Sequence, residues 1–255
     1  MRPARVLVAV TVLVALVGCT EKKKADPNAA AARNRARLAV LAQATADNSY
    51  DASYTFTQSP SNASGLIRIR QIPPQYRIDV ISKTSGASFF ALRTGTVSCS
   101  QKGLKQTCFL VARPGEDIPA LFDPGVQRLF RVAVEDLAIH PDDYRVDTTS
   151  VPSPSVPGSA TAPSATASAT VAPMPVAIGE CFAVTRTENA PSANENGGFE
   201  DGTYCFSSEG VATAIYVASG TLLLVKLEDG APPAAAFKPP VKVVSLPNLT
   251  PTPAK

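Results

Sequence analysis

From Ser53 to Ala112 the chain alternates apolar and polar residues in short runs, a period of two that suits a strand with one buried face. Ser53-Tyr-Thr-Phe-Thr-Gln58 alternates aromatic with polar. Leu66-Ile-Arg-Ile-Arg-Gln71 sends Ile67 and Ile69 to one face and Arg68 and Arg70 to the other. Gln75-Tyr-Arg-Ile-Asp-Val-Ile81 sets Tyr76, Ile78 and Val80 against Arg77 and Asp79. Ser88–Leu92, Thr96–Cys99 and Thr107–Ala112 continue the series. Turn formers at Ser64-Gly65, Pro73-Pro74, Ser85-Gly86, Gly95 and Gly103 separate the runs. The pattern predicts an antiparallel meander with one polar and one apolar face.

Helical spacing flanks this meander. Asn28 to Ala46 is rich in Ala, Arg and Leu and free of Gly and Pro, with Asp26-Pro27-Asn28 as its start. Leu38, Val40, Leu41 and Ala44 make its expected apolar face. Glu116 to His140 has apolar residues at mixed helical spacing, broken at Asp123-Pro124-Gly125, and reads as two short helices. Tyr144–Thr149 returns to strand. Residues 150–176 are almost wholly Ser, Ala, Thr, Pro and Val, a composition that cannot bury enough surface to order itself. Beyond it come five more strand-like runs: Cys181–Thr185, Thr203–Phe206, Ala212–Val217, Thr221–Leu227 and Val241–Ser245. About 65 residues of strand alone make a marginal core, so both halves are expected to share one sheet, with 150–176 as a disordered insertion.

The N-terminus indicates the compartment. Arg2 and Arg5 precede an apolar run from Val6 to Val17, about twelve residues, which fits a signal peptide and is short of the ~20 that span a bilayer. Leu16-Val17-Gly18-Cys19 then has the order of a bacterial lipobox, with small residues before a cysteine that receives a diacylglycerol. The expected division is 1–18 signal peptide, 19–28 lipidated tether, 29–246 a single domain, and 247–255 a flexible tail. The membrane is thus a partner through the anchor, on the extracytoplasmic face.

Export makes sense of the cysteines. Beyond Cys19 the chain has Cys99, Cys108, Cys181 and Cys205, an even number in an oxidising compartment. Each neighbouring pair brackets a turn-like stretch between strands. Of the three possible connectivities this favours Cys99–Cys108 with Cys181–Cys205. No Cys-x-x-Cys occurs, and the one histidine, His140, is distant in sequence, which argues against a metal site.

Charge and motifs exclude other classes. The chain has 24 Lys and Arg against 21 Asp and Glu. Losing Arg2 and Arg5 with the signal peptide leaves 22 against 21, too balanced for an electrostatic nucleic-acid binder. No lysine has a serine three positions before it, and no Gly-x-Ser-x-Gly elbow or Walker loop appears. His140 sits at an expected helix end, and Glu135-Asp136 and Asp142-Asp143 read as caps or solvated faces. No enzyme activity, catalytic residue or cofactor is expected, and the protein is expected to be a monomer.

The order lipobox, helix, meander, helical insertion and further strands resembles the LolA/LolB-like envelope proteins, and among them the actinobacterial lipoproteins related to LprG and LppX. The echoes are Gly65-Leu-Ile-Arg-Ile-Arg70 followed by Pro74-Gln-Tyr-Arg-Ile-Asp79, and the turns at Gly95-Thr-Val-Ser-Cys99 and Tyr204-Cys-Phe-Ser-Ser-Glu-Gly210. The resemblance implies an α+β fold: a strongly curved antiparallel half-barrel of about eleven strands, helices on its concave face, holding acyl chains of a lipid or glycolipid. Alternation alone nominates Phe56, Ile67, Ile69, Ile78, Val80, Phe90, Leu110, Leu223 and Val225 as lining residues. Leu222–Val225, four apolar residues in succession, fits either a lined cavity or a packed core. The alternative function is a surface module of the same fold with a filled core, serving structure or protein interaction.

Overall fold

The computed structural model describes residues 27–82, 85–118, 126–150, 179–187 and 198–245. Cys19, the tether, the insertion 151–176, the first expected helix of 116–125 and the tail therefore lie wholly or largely outside the described residues. In chain order the elements are α1 (Pro27–Asp47), β1 (Tyr50–Gln58), β2 (Ala63–Ile72), β3 (Gln75–Ile81), β4 (Ser85–Leu92), β5 (Gly95–Lys102) and β6 (Lys105–Ala112). Then follow α2 (Val126–Ile139), β7 (Tyr144–Thr149), β8 (Glu180–Arg186), β9 (Gly202–Phe206), β10 (Ala212–Val217), β11 (Gly220–Glu228) and β12 (Val243–Ser245). Every run read as a strand is one.

All twelve strands form a single open sheet in the order β12-β6-β5-β4-β3-β2-β1-β11-β10-β9-β8-β7. The fold is α+β, and strands from both sides of the 151–178 segment share the sheet. It is mixed rather than wholly antiparallel: β12 pairs parallel to β6. The reason is the connection after β11, which crosses the sheet as a strap before β12 joins the far edge.

Pleating divides the molecule. On one face, here the helix face, Tyr54, Ile67 and Val80 fall in one row across β1–β3. Ala52, Ile69, Ile78 and Phe89 make the next row across β1–β4. On the other, the strap face, lie Asp51, Arg68, Arg70, Arg77 and Asp79. Helices cover the helix face over β7–β10: Leu38, Leu41 and Ala42 of α1 and Phe130, Ala133 and Leu137 of α2 pack on Val146, Phe182, Val184, Tyr204 and Phe206. The spacing of three and four is what a helix needs to keep one stripe inward. Val40, expected on that stripe, is 59% exposed; Ala42 takes its place.

Specific polar contacts fix α1. Gln71, buried on β2, donates from Nε2 to the carbonyls of Ala46 at 2.6 Å and Asn48 at 2.8 Å, occupying oxygens the helix end leaves unpaired. Thr45 Oγ1 donates to the carbonyl of Gly210, and Asn48 Nδ2 to that of Glu209 at 2.6 Å. Gly210 has φ +83°, and a Cβ there would collide with Ala44. At the other end, Asn34 and Arg35 donate to the carbonyls of Val146 and Tyr144 on edge strand β7, each at 3.1 Å. Those oxygens are thereby withheld from a foreign strand.

On the strap face the charges interlock. Arg68 grips Asp51 with two bonds of 2.7 and 2.8 Å, Arg70 reaches Asp79 at 3.1 Å, and Arg77 reaches Asp79 at 2.8 Å. The hydrogen bond to Asp51 raises the Arg68 pKa, whereas burial lowers that of Arg70. Arg77 also donates to the strap carbonyl of Ala236 at 2.9 Å and lies 4.7 Å over the Phe90 ring. Val243 packs on Phe90, Val97 and Leu110, and the strap turn Ala234–Phe237 is tied to β3 through the Arg77 bond. Replacing Gln71 by leucine, close in size, strands carbonyls at the end of α1. Thermal or urea unfolding should show a loss of about 1–3 kcal/mol.

Candidate apolar binding face

The nine nominated residues separate by strand phase. Phe56, Ile67, Ile69, Ile78 and Val80 share the helix face and are brought together. Ile69 and Ile78 are buried beside Tyr54, Phe89 and Leu224, with Ile67 and Val80 packed on that cluster and half-buried. Phe56 stands opposite Leu222 at the end of the same face.

The other four do not join them. Phe90 pairs with Val97, which pairs with Leu110, and all three lie on the strap face beneath the C-terminal segment. Leu223 pairs with Ala214, which pairs with Cys205, placing it against the Cys181–Cys205 disulfide on the strap face. Val225 is the extra residue where the β1–β11 register shifts between Ser53 and Tyr54, and has no partner there. This bulge is why β11 deceives. Counting back by twos from Leu227 selects Val225 and Leu223, but one inserted residue reverses the phase, so Leu222 and Leu224 face the helices. Leu224, Tyr54 and Phe89 are the buried members of this cluster that alternation did not nominate.

Both disulfides are formed, Cys99–Cys108 and Cys181–Cys205. Each joins directly opposed residues of neighbouring antiparallel strands, with Cα atoms 4.0 and 4.1 Å apart. Both lie on the strap face, away from the apolar cluster of β1–β4.

Space on the helix face is uneven. Beneath α1 and α2 the packing is tight: a void of about 10 Å³ lies among Thr45, Tyr50, Tyr54, Ile69, Phe130, Ala212 and Leu222. Ligand pockets are of the order of 300–1,000 Å³, so no chain fits there as packed. At the end of the sheet where β1 begins, a groove of about 520 Å³ opens between Asn48–Tyr50, Glu209, Val211 and Leu227–Ala231. Its floor includes Tyr50, Val211 and Leu227, which belong to the same apolar cluster as Ile69 and Ile78. Polar groups rim it: Asn48, Ser49, Glu209 and Glu228.

The far end of the helix-face core is held by a polar knot. The Tyr144 hydroxyl donates to Asp136, which is buried rather than on a solvated face. Arg186 Nη1 donates to the Tyr144 oxygen at 2.8 Å and its guanidinium lies 4.9 Å from the Tyr144 ring centre. A Cβ on Gly198 would run into all three side chains. Among the described residues no group of His, Cys, Asp and Glu is placed to hold a metal. No helix among them is long and apolar enough to cross a membrane.

No protein-family profile matches the chain, and no curated protein is significantly similar to it.

Burial pushes the hydroxyls of Tyr54, Tyr144 and Tyr204 above their ordinary range, with the Asp136 hydrogen bond adding to the effect at Tyr144. A tyrosine harder to ionise when folded contributes stability below its unfolded pKa of about 10, and that contribution fades as pH rises further. In an alkaline titration these three tyrosines should ionise only together with loss of the fold. Phenolate absorbance and circular dichroism followed together check this; full tyrosine ionisation of an intact fold at pH near 10 would contradict it.

Proposed function

We propose that this is a lipid-anchored envelope protein that binds the acyl chains of a lipid or glycolipid on the helix face of its sheet. In this reading the sheet curls as a half-barrel around that face. One observation carries the proposal. The half-buried Ile67 and Val80 lie over the buried Ile69 and Ile78 on β2–β3, with Phe56 on the same face, and the cluster continues through Tyr50, Val211 and Leu227 into the groove of about 520 Å³. Apolar burial of about 25 cal/mol per Å² needs no hydrogen-bond code, so a flexible chain lying on such a strip is held by area alone. The polar rim of the groove suits a hydroxylated or sugar head group. Cys19 provides the anchor, the protein acts without catalytic groups or cofactor, and it works as a monomer.

The tight packing under α1 and α2 favours a second reading in the same lipoprotein, a structural or protein-interaction module whose core is already filled. The two differ in what co-purifies. Mature chain carrying Cys19→Ser, purified from a bacterial host whose envelope is rich in glycolipids, should show a stoichiometric adduct by native mass spectrometry. Organic solvent should release that adduct. A clean apo mass together with no uptake of a fluorescent fatty acid would reject lipid binding and leave the module.

A further inference from the structure

Antiparallel pairing brings the β1–β2, β3–β4 and β5–β6 turns to one end of the sheet, opposite the end that carries the groove. Residues 57–66, 81–88 and 100–107, which form these hairpin ends, contain no Asp or Glu. The opposite end carries six acids, Asp47, Glu116, Asp117, Glu209, Glu228 and Asp229, against Arg93 and Arg113. The β1–β6 hairpin ends are thus free of acids, whereas the opposite end of the sheet is acidic in balance.

The β5–β6 hairpin concentrates this asymmetry. Lys102 and Lys105 stand directly opposite each other, a like-charge pair that opposes strand pairing unless something outside the hairpin repays it. Both are exposed, and no carboxylate among the described residues bridges either. Between them at the tip, Leu104 is fully exposed, the most exposed of the large apolar side chains among the described residues. Ile81, at the end of the neighbouring β3, is also exposed, at 50%. The Cys99–Cys108 bond crosses the same hairpin three residues below each lysine, so the tip is presented on a stiff stem. An exposed leucine flanked by unpaired lysines, beside hairpin ends that carry no acids, matches an anionic bilayer, with charge at the head groups and the alkyl group just beneath.

We infer that the Lys102–Lys105 hairpin tip is a second membrane contact, docking this end of the sheet on anionic phospholipid while the Cys19 anchor supplies the first. The inference rests on the lipoprotein reading for its setting. Glu200 and Asp201 of the β8–β9 connection lie at the same end, but on the other side of the sheet, with six strands between β5 and β9.

The test uses mature chain with Cys19→Ser, so that no acyl group contributes, and vesicles of phosphatidylglycerol and phosphatidylcholine in equal parts or of phosphatidylcholine alone. Sedimentation should show binding to the anionic vesicles only, released in about 1 M salt where screening length falls to ~3 Å. A lysine at an anionic surface is worth about fivefold in partition, so Lys102→Glu/Lys105→Glu should lower binding by about 25-fold or more. Leu104→Asp should lower it by about tenfold. The control Arg93→Glu/Arg113→Glu, the same charge change at the opposite end, should stay within about twofold of the parent. No binding to anionic vesicles, or equal losses in tip and control variants, would overturn the inference. The mass of Cys19 in wild-type protein from the bacterial membrane is read separately. An unmodified cysteine there defeats the anchor and leaves the vesicle result standing.

Discussion

The pleat of the β1–β4 ladder is the constraint on which the rest depends. Because successive side chains leave opposite faces, Ile67, Ile69, Ile78 and Val80 cannot be on the helix face unless Arg68, Arg70, Arg77 and Asp79 are on the other. The apolar face requires cover or a ligand, and the charged face requires partners. A slip of one residue would put three arginines against Tyr54 and Leu224 and expose four isoleucines and valines. The interlocked Arg and Asp side chains oppose such a slip, because their diagonal pairs form in only one register.

Each face is then finished by a different part of the chain. Two helices, α1 fixed through Gln71, Gly210 and the edge of β7 and α2 through Asp136 and Tyr144, pack over the β7–β10 half of one face. On the other face Arg77 ties the strap to β3 through Ala236 and Val243 packs on Phe90, Val97 and Leu110, while a depression of about 210 Å³ opens among Arg70, Asp79, Ser88, Cys99 and Gln101. The helices reach beyond that half: Thr45 of α1 and Phe130 of α2 meet Tyr54, Ile69 and Leu222 around the small void, and Ile118 packs on the β1–β4 cluster, which leaves Ile67 and Val80 half-buried. The buried Ile69 and Ile78 support the proposed filled-core role, and the half-buried Ile67 and Val80 with the groove at Tyr50, Val211 and Leu227 support the proposed binding role.

Much of this was legible in the sequence because alternation with charged residues fixes phase. Every strand was readable, and the faces of β2 and β3 were set by Arg68, Arg70, Arg77 and Asp79. Both disulfides followed from turns between strands. Legibility failed where apolar residues adjoin. Phe89-Phe90 gives no phase by itself, and Val243, which packs on the Phe90 cluster, lies about 150 positions later. In Leu222–Val225 the phase is carried by a bulge that leaves no mark in an unbroken apolar run. The parallel pairing of β12 was hidden because a strand run states its period but not its direction. The buried knot of Asp136, Tyr144 and Arg186 was hidden for a similar reason: three polar residues meet only through the fold.

The central claim, that an acyl chain lies along the helix face of β1–β3, is tested most directly by a fatty acid carrying a photoreactive diazirine in its chain. After irradiation, peptide mass spectrometry should place the label on Phe56, Ile67, Val80 or the groove residues Tyr50 and Leu227. Label spread over Leu66, Ile81 and the strap face, or specific label nowhere, would contradict it.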